Sequence, residues 1–263
     1  MMNILDKIIE YKRTEVMERK AATPVSVLEA RAEFGREPLS LRSFLADPGK
    51  TGIIAEFKRR SPSKGVINDR VTVESVTKGY TVGGASCLSV LTDGPFFGGS
   101  SEDLMAARVN AIPILRKDFI VDEYQIVEAK AMGADVILLI AACLSPVEVR
   151  RLAEFARSLG LEVLLEIHGE DELGHICAAT PVVGVNNRDL KTFTVDIERS
   201  IRLIGRIPKD KILVAESGID NVQTIWRMKE AGFHGFLIGE RFMKEQDPAI
   251  AFAAFVEQLK MRG

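Results

Sequence analysis

The chain has 263 residues, 46% hydrophobic and 27% charged, with 35 basic and 37 acidic side chains and a net charge of -2. The charges are mixed along the length, which excludes the basic stripe of a nucleic-acid binder and an acidic solvated arm. Apolar runs such as Val136 to Leu144 fall far short of the ~20 residues a membrane-spanning helix needs.

A chain of this size can close one large core, as α/β barrels of about 250 residues do. Met1 to Arg19 is charged throughout and holds no signal-peptide core. Cys87, Cys143 and Cys177 sit far apart in apolar segments and read as reduced cysteines of a cytoplasmic protein, with no disulfide or metal pattern.

From residue 3 to about 20, Ile4, Ile8, Ile9, Tyr11 and Val16 recur between charges at helical spacing, and Ala21-Ala22-Thr23-Pro24 ends that helix. Ser26 to Phe34 and Ser40 to Leu45 predict two more short helices, so residues 1–50 form an extension before the first strand. From Gly52 the pattern changes to short β-branched runs: Ile53 to Lys58, Ala85 to Leu91, Ile112 to Arg116, Asp135 to Ile140, Leu161 to Ile167, Val182 to Asn186, Lys211 to Glu216 and Gly235 to Gly239. They recur every ~26 residues, the length of a strand, a helix and two short loops.

Between and after them, Val73 to Val82, Ser101 to Arg108, Asp122 to Met132, Pro146 to Leu159, Glu170 to Ala178, Glu198 to Ile204, Val222 to Ala231 and Pro248 to Met261 predict helices. Gly83, Gly133, Gly160 and Gly232 stand at their C-caps. Eight such pairs predict an α/β fold, a (β/α)8 TIM barrel with additional N-terminal helices, one domain over residues 1–263. An open doubly wound sheet is the alternative.

In a barrel of this kind the active groups belong at the C-terminal strand ends. Glu56 and Lys58 lie two apart on strand one, so both point to one face. Buried charge is costly unless paired or used. Lys117 follows strand three, Glu166 lies near the end of strand five, Asn186 closes strand six and Glu216 closes strand seven. Each taken singly fits a strand-end salt bridge. Together, three carboxylates and two lysines over one mouth suit acid/base chemistry, in which neighbouring groups split their pKa values; spacing does not say which is acid and which is base.

Ser217-Gly218 after strand seven and Gly239-Glu240 after strand eight put glycines where backbone NH groups can meet a phosphate, with Ser61 and Lys64 in the loop after strand one. The same glycines also fit simple tight turns. Gly49-Lys50-Thr51 lacks the first glycine and the preceding strand of a phosphate loop. His168, His175 and His234 have no metal-ligand spacing and read as solvated or structural. Trp226 and Met228 read as helix packing, and Arg59 and Arg60 receive no role.

Several motifs together resemble the indole-3-glycerol phosphate synthase family: Ile54-Ala55-Glu56-Phe57-Lys58-Arg59-Arg60-Ser61-Pro62-Ser63-Lys64-Gly65, Ser89-Val90-Leu91-Thr92-Asp93 with Phe97-Gly98-Gly99-Ser100, Ile114-Leu115-Arg116-Lys117-Asp118-Phe119, Leu164-Leu165-Glu166, Val183-Gly184-Val185-Asn186-Asn187-Arg188-Asp189-Leu190 and Ala215-Glu216-Ser217-Gly218-Ile219. The match spans nearly the whole chain. Phe57 departs from the pattern, at a position expected to face the helices.

The resemblance implies a barrel covered by N-terminal helices and the conversion of 1-(2-carboxyphenylamino)-1-deoxyribulose 5-phosphate to indole-3-glycerol phosphate, carbon dioxide and water, with no cofactor and no metal. It implies Lys117 as general acid, Glu166 as acid or base of the dehydration, and Lys58, paired with Glu56, as holder of the substrate carboxylate and a competing acid. Asn186 and Glu216 then orient substrate hydroxyls and lysines. Ser61, Ser217, Gly218, Gly239 and Glu240 bind phosphate; Arg188 positions Glu216 or the carboxylate; Phe97 and Phe119 wall the aromatic ring; Leu190 joins the substrate-binding set. Its partner is a small sugar phosphate, with no nucleic acid and no membrane, and the chain is expected as a monomer or weak dimer.

Alternatives from the residues are another sugar-phosphate barrel such as phosphoribosylanthranilate isomerase, which needs a Cys and Asp pair at strand ends, and a phosphate-binding barrel without turnover.

Overall fold

Each of the eight apolar runs forms a strand, and all eight are parallel. They are β1 (Ile53–Phe57), β2 (Cys87–Leu91), β3 (Ile114–Lys117), β4 (Val136–Ile140), β5 (Glu162–Ile167), β6 (Val182–Asn186), β7 (Ile212–Glu216) and β8 (Gly235–Ile238). In the computed structural model, which describes residues 4–189 and 194–261, they close into a barrel in the order β1-β8-β7-β6-β5-β4-β3-β2. The open-sheet alternative is thereby set aside.

Both faces of these strands are buried, which is why the runs are nearly continuous in apolar residues. Ile54, Leu115, Leu138, Leu164, Val214 and Leu237 fill the barrel interior. Their neighbours Ile53, Ala55, Phe57, Ile137, Leu165 and Phe236 face the helices, so Phe57 points away from the mouth as expected.

The helices, in chain order, are α1 (Ile4–Ala22), α2 (Val25–Glu29), α3 (Leu41–Ala46), α4 (Val73–Val82), α5 (Gly94–Phe97), α6 (Ser101–Ala107), α7 (Glu123–Ala131), α8 (Pro146–Ser158), α9 (Ile197–Ile204), α10 (Val222–Ala231), α11 (Glu240–Met243) and α12 (Pro248–Lys260). Most begin where a short polar side chain accepts a backbone NH of the first turn, as Thr72, Ser100 and Asn221 do. Asp122 with Gln125 and Ser145 with Glu148 form full capping boxes.

Two local expectations are corrected. The helix expected over Glu170 to Ala178 is a 3-10 helix, Glu170–His175. There the His175 ring approaches the Glu172 carbonyl at 3.0 Å and the Leu144 carbonyl at 2.8 Å, contacts that compete with α-helical pairing. The helix expected over Ser26 to Phe34 divides into α2 and a 3-10 turn, Ala32–Gly35. Gly83 is the C-cap of α4 as expected, and the left-handed residue follows it at Gly84 (φ 100).

The extension reaches both ends of the barrel. At the mouth, Ile4, Leu5 and Ile8 of α1 line the cavity. The fully buried Lys12 Nζ lies 2.7 Å from Glu15, 2.9 Å from Asp93 and 3.0 Å from Asp118. At the opposite end Leu41 and Leu45 of α3 join the inner cluster and plug the floor.

The linker to α3 is tied beneath the strands. Asp135, fully buried, accepts from Arg36 at 2.6 Å, Arg108 at 2.5 Å, the Leu39 NH at 2.8 Å and the Ile114 NH at 2.7 Å. Glu162 accepts from the Ser40 hydroxyl at 2.6 Å and the Arg42 NH at 2.9 Å.

Candidate active site

Strand alternation carries the inner face upward from apolar to charged. Above Ile54 comes Glu56, above Leu115 comes Lys117, above Leu164 comes Glu166, and above Val214 comes Glu216. These ends surround a cavity of about 450 Å³ at the C-terminal face, a volume suited to a small-molecule ligand.

Lys117 stands at the centre. Its Nζ lies 3.7 Å from Glu56 Oε2, 4.0 Å from Glu166 Oε2 and 3.9 Å from Glu216 Oε2. Lys58 is clamped on the other Glu56 oxygen at 2.7 Å, and Asn186 donates to Glu166 Oε1 at 2.9 Å. Two positions without side chains make room: a Cβ on Gly184 of β6 would stand 2.1 Å from Glu216 Oε1, and one on Gly239, just past β8, would stand 2.7 Å from Glu56 Oε1.

The cluster separates its carboxylates. Burial alone would raise Glu56, but Lys58 and Lys117 hold it below the ordinary range. Burial opposes Glu166 too, yet His168 and Lys117 keep it low. Glu216 goes the other way: burial and the Glu166 charge push it up to about 8. Its Oε1 is buried with no donor aligned on it among the described residues, the environment of a carboxyl that keeps its proton. Burial would lower Lys117, but the three carboxylates outweigh it and the ammonium is stabilised. The mouth therefore holds a protonated amine, an ionised carboxylate and a protonated carboxyl within a few ångströms, a set able to give and to take protons near neutral pH.

The apolar wall comes from Phe97 and Phe119, whose rings lie 5.9 Å apart, with Leu138 and Ile140. Ser61, Ser217, Gly218, Gly239 and Glu240 border the same cavity. Ser217 holds a left-handed backbone (φ 67), rare for a residue with a side chain. Asn187, fully buried, fixes that turn by donating to the Ser217 carbonyl at 2.8 Å. The first turn of α11, capped by Gly239, leaves its leading NH groups without helical acceptors. Lys64 pairs with Glu240 at 3.5 Å.

Arg188 lines the cavity, and its NH donates to Asn186 Oδ1 at 3.0 Å. Leu190 lies outside the described residues. Apart from Lys64, which reaches the cavity only through its pair with Glu240, the other expected site residues border this one cavity. Among the described residues no His, Cys, Asp or Glu cluster is arranged to hold a metal.

Sequence reasoning passed over two groups. His168 is half-buried, with Nε2 3.1 Å from Glu166; it lies two residues past Glu166, the same spacing that linked Glu56 to Lys58. Arg59 pairs with Asp103 and stacks on Phe57, 4.8 Å from the ring centre. Cys87, by contrast, sits buried in the inner apolar cluster at the start of β2, away from the strand ends an isomerase would use.

Fold and site together define a (β/α)8-barrel enzyme whose mouth combines lysine and carboxylate acid/base groups with an anion-ready rim. An indole-3-glycerol phosphate synthase family model matches residues 5–255. Relatives bearing that name include one from Bacteroides thetaiotaomicron, 47% identical over 99% of this chain and 100% of its own length. Another, from a Polaromonas species, is 44% identical over 96% and 98%.

The chain belongs to the indole-3-glycerol phosphate synthase family, carboxy-lyases of tryptophan biosynthesis. The barrel alone is shared with a thiamine phosphate pyrophosphorylase from Pyrococcus furiosus, with a TM-score of 0.59 at 17% identity over 84% of this chain and 99% of that one.

Proposed function

We propose that this mouth closes the indole ring of 1-(2-carboxyphenylamino)-1-deoxyribulose 5-phosphate, releasing carbon dioxide and water. The observation that carries the reading is Lys117 held among Glu56, Glu166 and Glu216 beside the apolar wall and anion-ready rim. The ring carbon bearing the carboxylate attacks the ribulose carbonyl, and Lys117 delivers a proton to the carbonyl oxygen. Carbon dioxide leaves and the benzene ring regains its aromaticity. Glu166, ionised, then removes a proton from the new five-membered ring while the hydroxyl departs as water with a proton from Lys58 or Lys117. The whole sequence takes up one proton per turnover.

Lys58, aligned by Glu56, holds the substrate carboxylate; Asn186 and Glu216 orient the hydroxyls and Lys117. Ser61, Ser217, Gly218, Gly239 and Glu240 take the phosphate, Phe97 and Phe119 pack on the aromatic ring, Leu190 belongs to the substrate-binding set, and Arg188 positions Glu216 or the substrate carboxylate. The same reading treats residues 1–263 as one domain with 1–50 as a covering extension, acting in the cytoplasm as a monomer or weak dimer.

The test is indole fluorescence on adding the carboxyphenylamino substrate to purified protein. Growth of the signal is expected. A flat trace, with binding seen by calorimetry, would leave a phosphate-binding barrel without turnover.

A further inference from the structure

Glu166 is not the last inward-pointing residue of its segment. Past Ile167, His168 continues on the same face with its side chain only 11% exposed. Its Nε2 lies 3.1 Å from Glu166 Oε1, and its Nδ1 lies 3.3 Å from Glu172 Oε2. The same Glu172 oxygen accepts the His168 backbone NH at 2.6 Å. Glu172 is itself fixed by the 3-10 turn that His175 ties to the Leu144 carbonyl. Charge thus alternates from the centre of the mouth toward the rim: Lys117, Glu166, His168, Glu172.

The two Glu166 oxygens are used differently. Oε1 accepts a hydrogen bond from Asn186 and lies 3.1 Å from His168 Nε2 in an ion-pair contact that is not aligned as a hydrogen bond, whereas Oε2 faces Lys117. We propose that His168 is a positioning residue for ring formation: with Asn186 it fixes Oε1 and supplies the counter-charge, so that Oε2 is presented to the substrate as the base. The proposal rests on the role read for Glu166 above.

The surroundings of the pair support it. Burial would discharge the imidazole, but Glu166 and Glu172 outweigh that and raise it to about 10, so His168 is a cation throughout the neutral range. Glu166 faces Lys117 from β3, Asn186 from β6 and Glu216 from β7, with Glu56 of β1 across Lys117. The Cys143 thiol, in the turn after β4, is pushed up to about 12 by burial and by Glu166 and Glu172, and adds no charge.

The experiment compares His168→Ala and His168→Gln with the wild type by steady-state kinetics from pH 4 to 10 and by thermal melting. Loss of a nearby cation raises a carboxylate's pKa, by about 1 to 3 units for an opposite charge at this range. In both variants the acid limb of kcat is therefore expected to move up by about that amount. His168→Ala should lose roughly tenfold or more in kcat with KM nearly unchanged. His168→Gln keeps a donor without the charge, so it should recover much of kcat while retaining the displaced limb.

The proposal is overturned if both variants keep wild-type kcat and an unmoved limb. It is equally overturned if kcat falls only in step with melting temperature while the limb stays in place. Wild-type protein without turnover would strike the enzymatic reading as well, whereas active wild type with unresponsive variants strikes His168 alone.

Discussion

Lys117 sits among three carboxyl groups and neutralises the two that stay ionised, Glu56 and Glu166, so its removal has two separable consequences. Lys117→Met should lower kcat by about 10²- to 10⁴-fold, the usual contribution of a positioned acid. It should also melt earlier than wild type at pH 8 and much less so at pH 5, where the orphaned carboxylates can protonate. Glu216 gives the opposite sign. Its folded pKa is raised from 4.5 to about 8, so its contribution is complete below pH 4.5 and is lost as pH rises toward 8. Glu216→Gln should then match wild-type stability near pH 4 and gain a few °C by pH 9, at the cost of turnover, as melting curves and kinetics across that range would show. The charged residues of the site were legible because two-residue spacing on a strand names its inner face. His168 obeys the same spacing but lies past the strand end, and a single histidine offers no charge pattern until Glu166 and Glu172 are seen on either side of it.

At the level of elements, the eight strands were readable because burial on both faces leaves little besides β-branched and apolar residues, with ends off by one or two positions. The helices α4 and α10 fell where apolar spacing put them. The four-residue helices α5 and α11 are too short to show any period, and the turn at Glu170–His175 is decided by histidine contacts with carbonyls that sequence cannot display. The attachment of α1 was equally hidden, since Lys12 finds Asp93 and Asp118 across loops from other parts of the chain. Breaking a buried pair strands its partners at a cost of about 3–5 kcal/mol. Lys12→Met should lose stability of that order in urea, expose α1 to limited proteolysis, and raise KM more than it lowers kcat, because Ile4, Leu5 and Ile8 leave the cavity wall.

Over the whole molecule, chemistry and cohesion occupy opposite ends of the barrel. The mouth crowds its charges so closely that one of them, Glu216, is disfavoured when ionised. The floor gathers charge that is satisfied: Asp135 takes four donors and Glu162 two. Asp135→Asn should therefore lower the unfolding free energy by about 3–5 kcal/mol while leaving kcat at wild-type level in the protein that remains folded, a split measurable by urea titration beside turnover. That residues 1–50 precede the barrel was plain from the change of pattern at Gly52; that they wrap both of its ends was not, because a helix period does not say where the helix docks.

The wrapping sets an order on synthesis. Arg36 pairs with Asp135 across 99 positions, and Ser40 with Glu162 across 122. At about 5–20 residues per second, the stopper beneath the nascent barrel waits roughly 6 to 24 seconds for the anchors that fasten it. The segment made ahead of the barrel must wait for strands made well after it, and until then the hydrophobic face of α3 has to be kept from neighbouring chains by something other than its own fold.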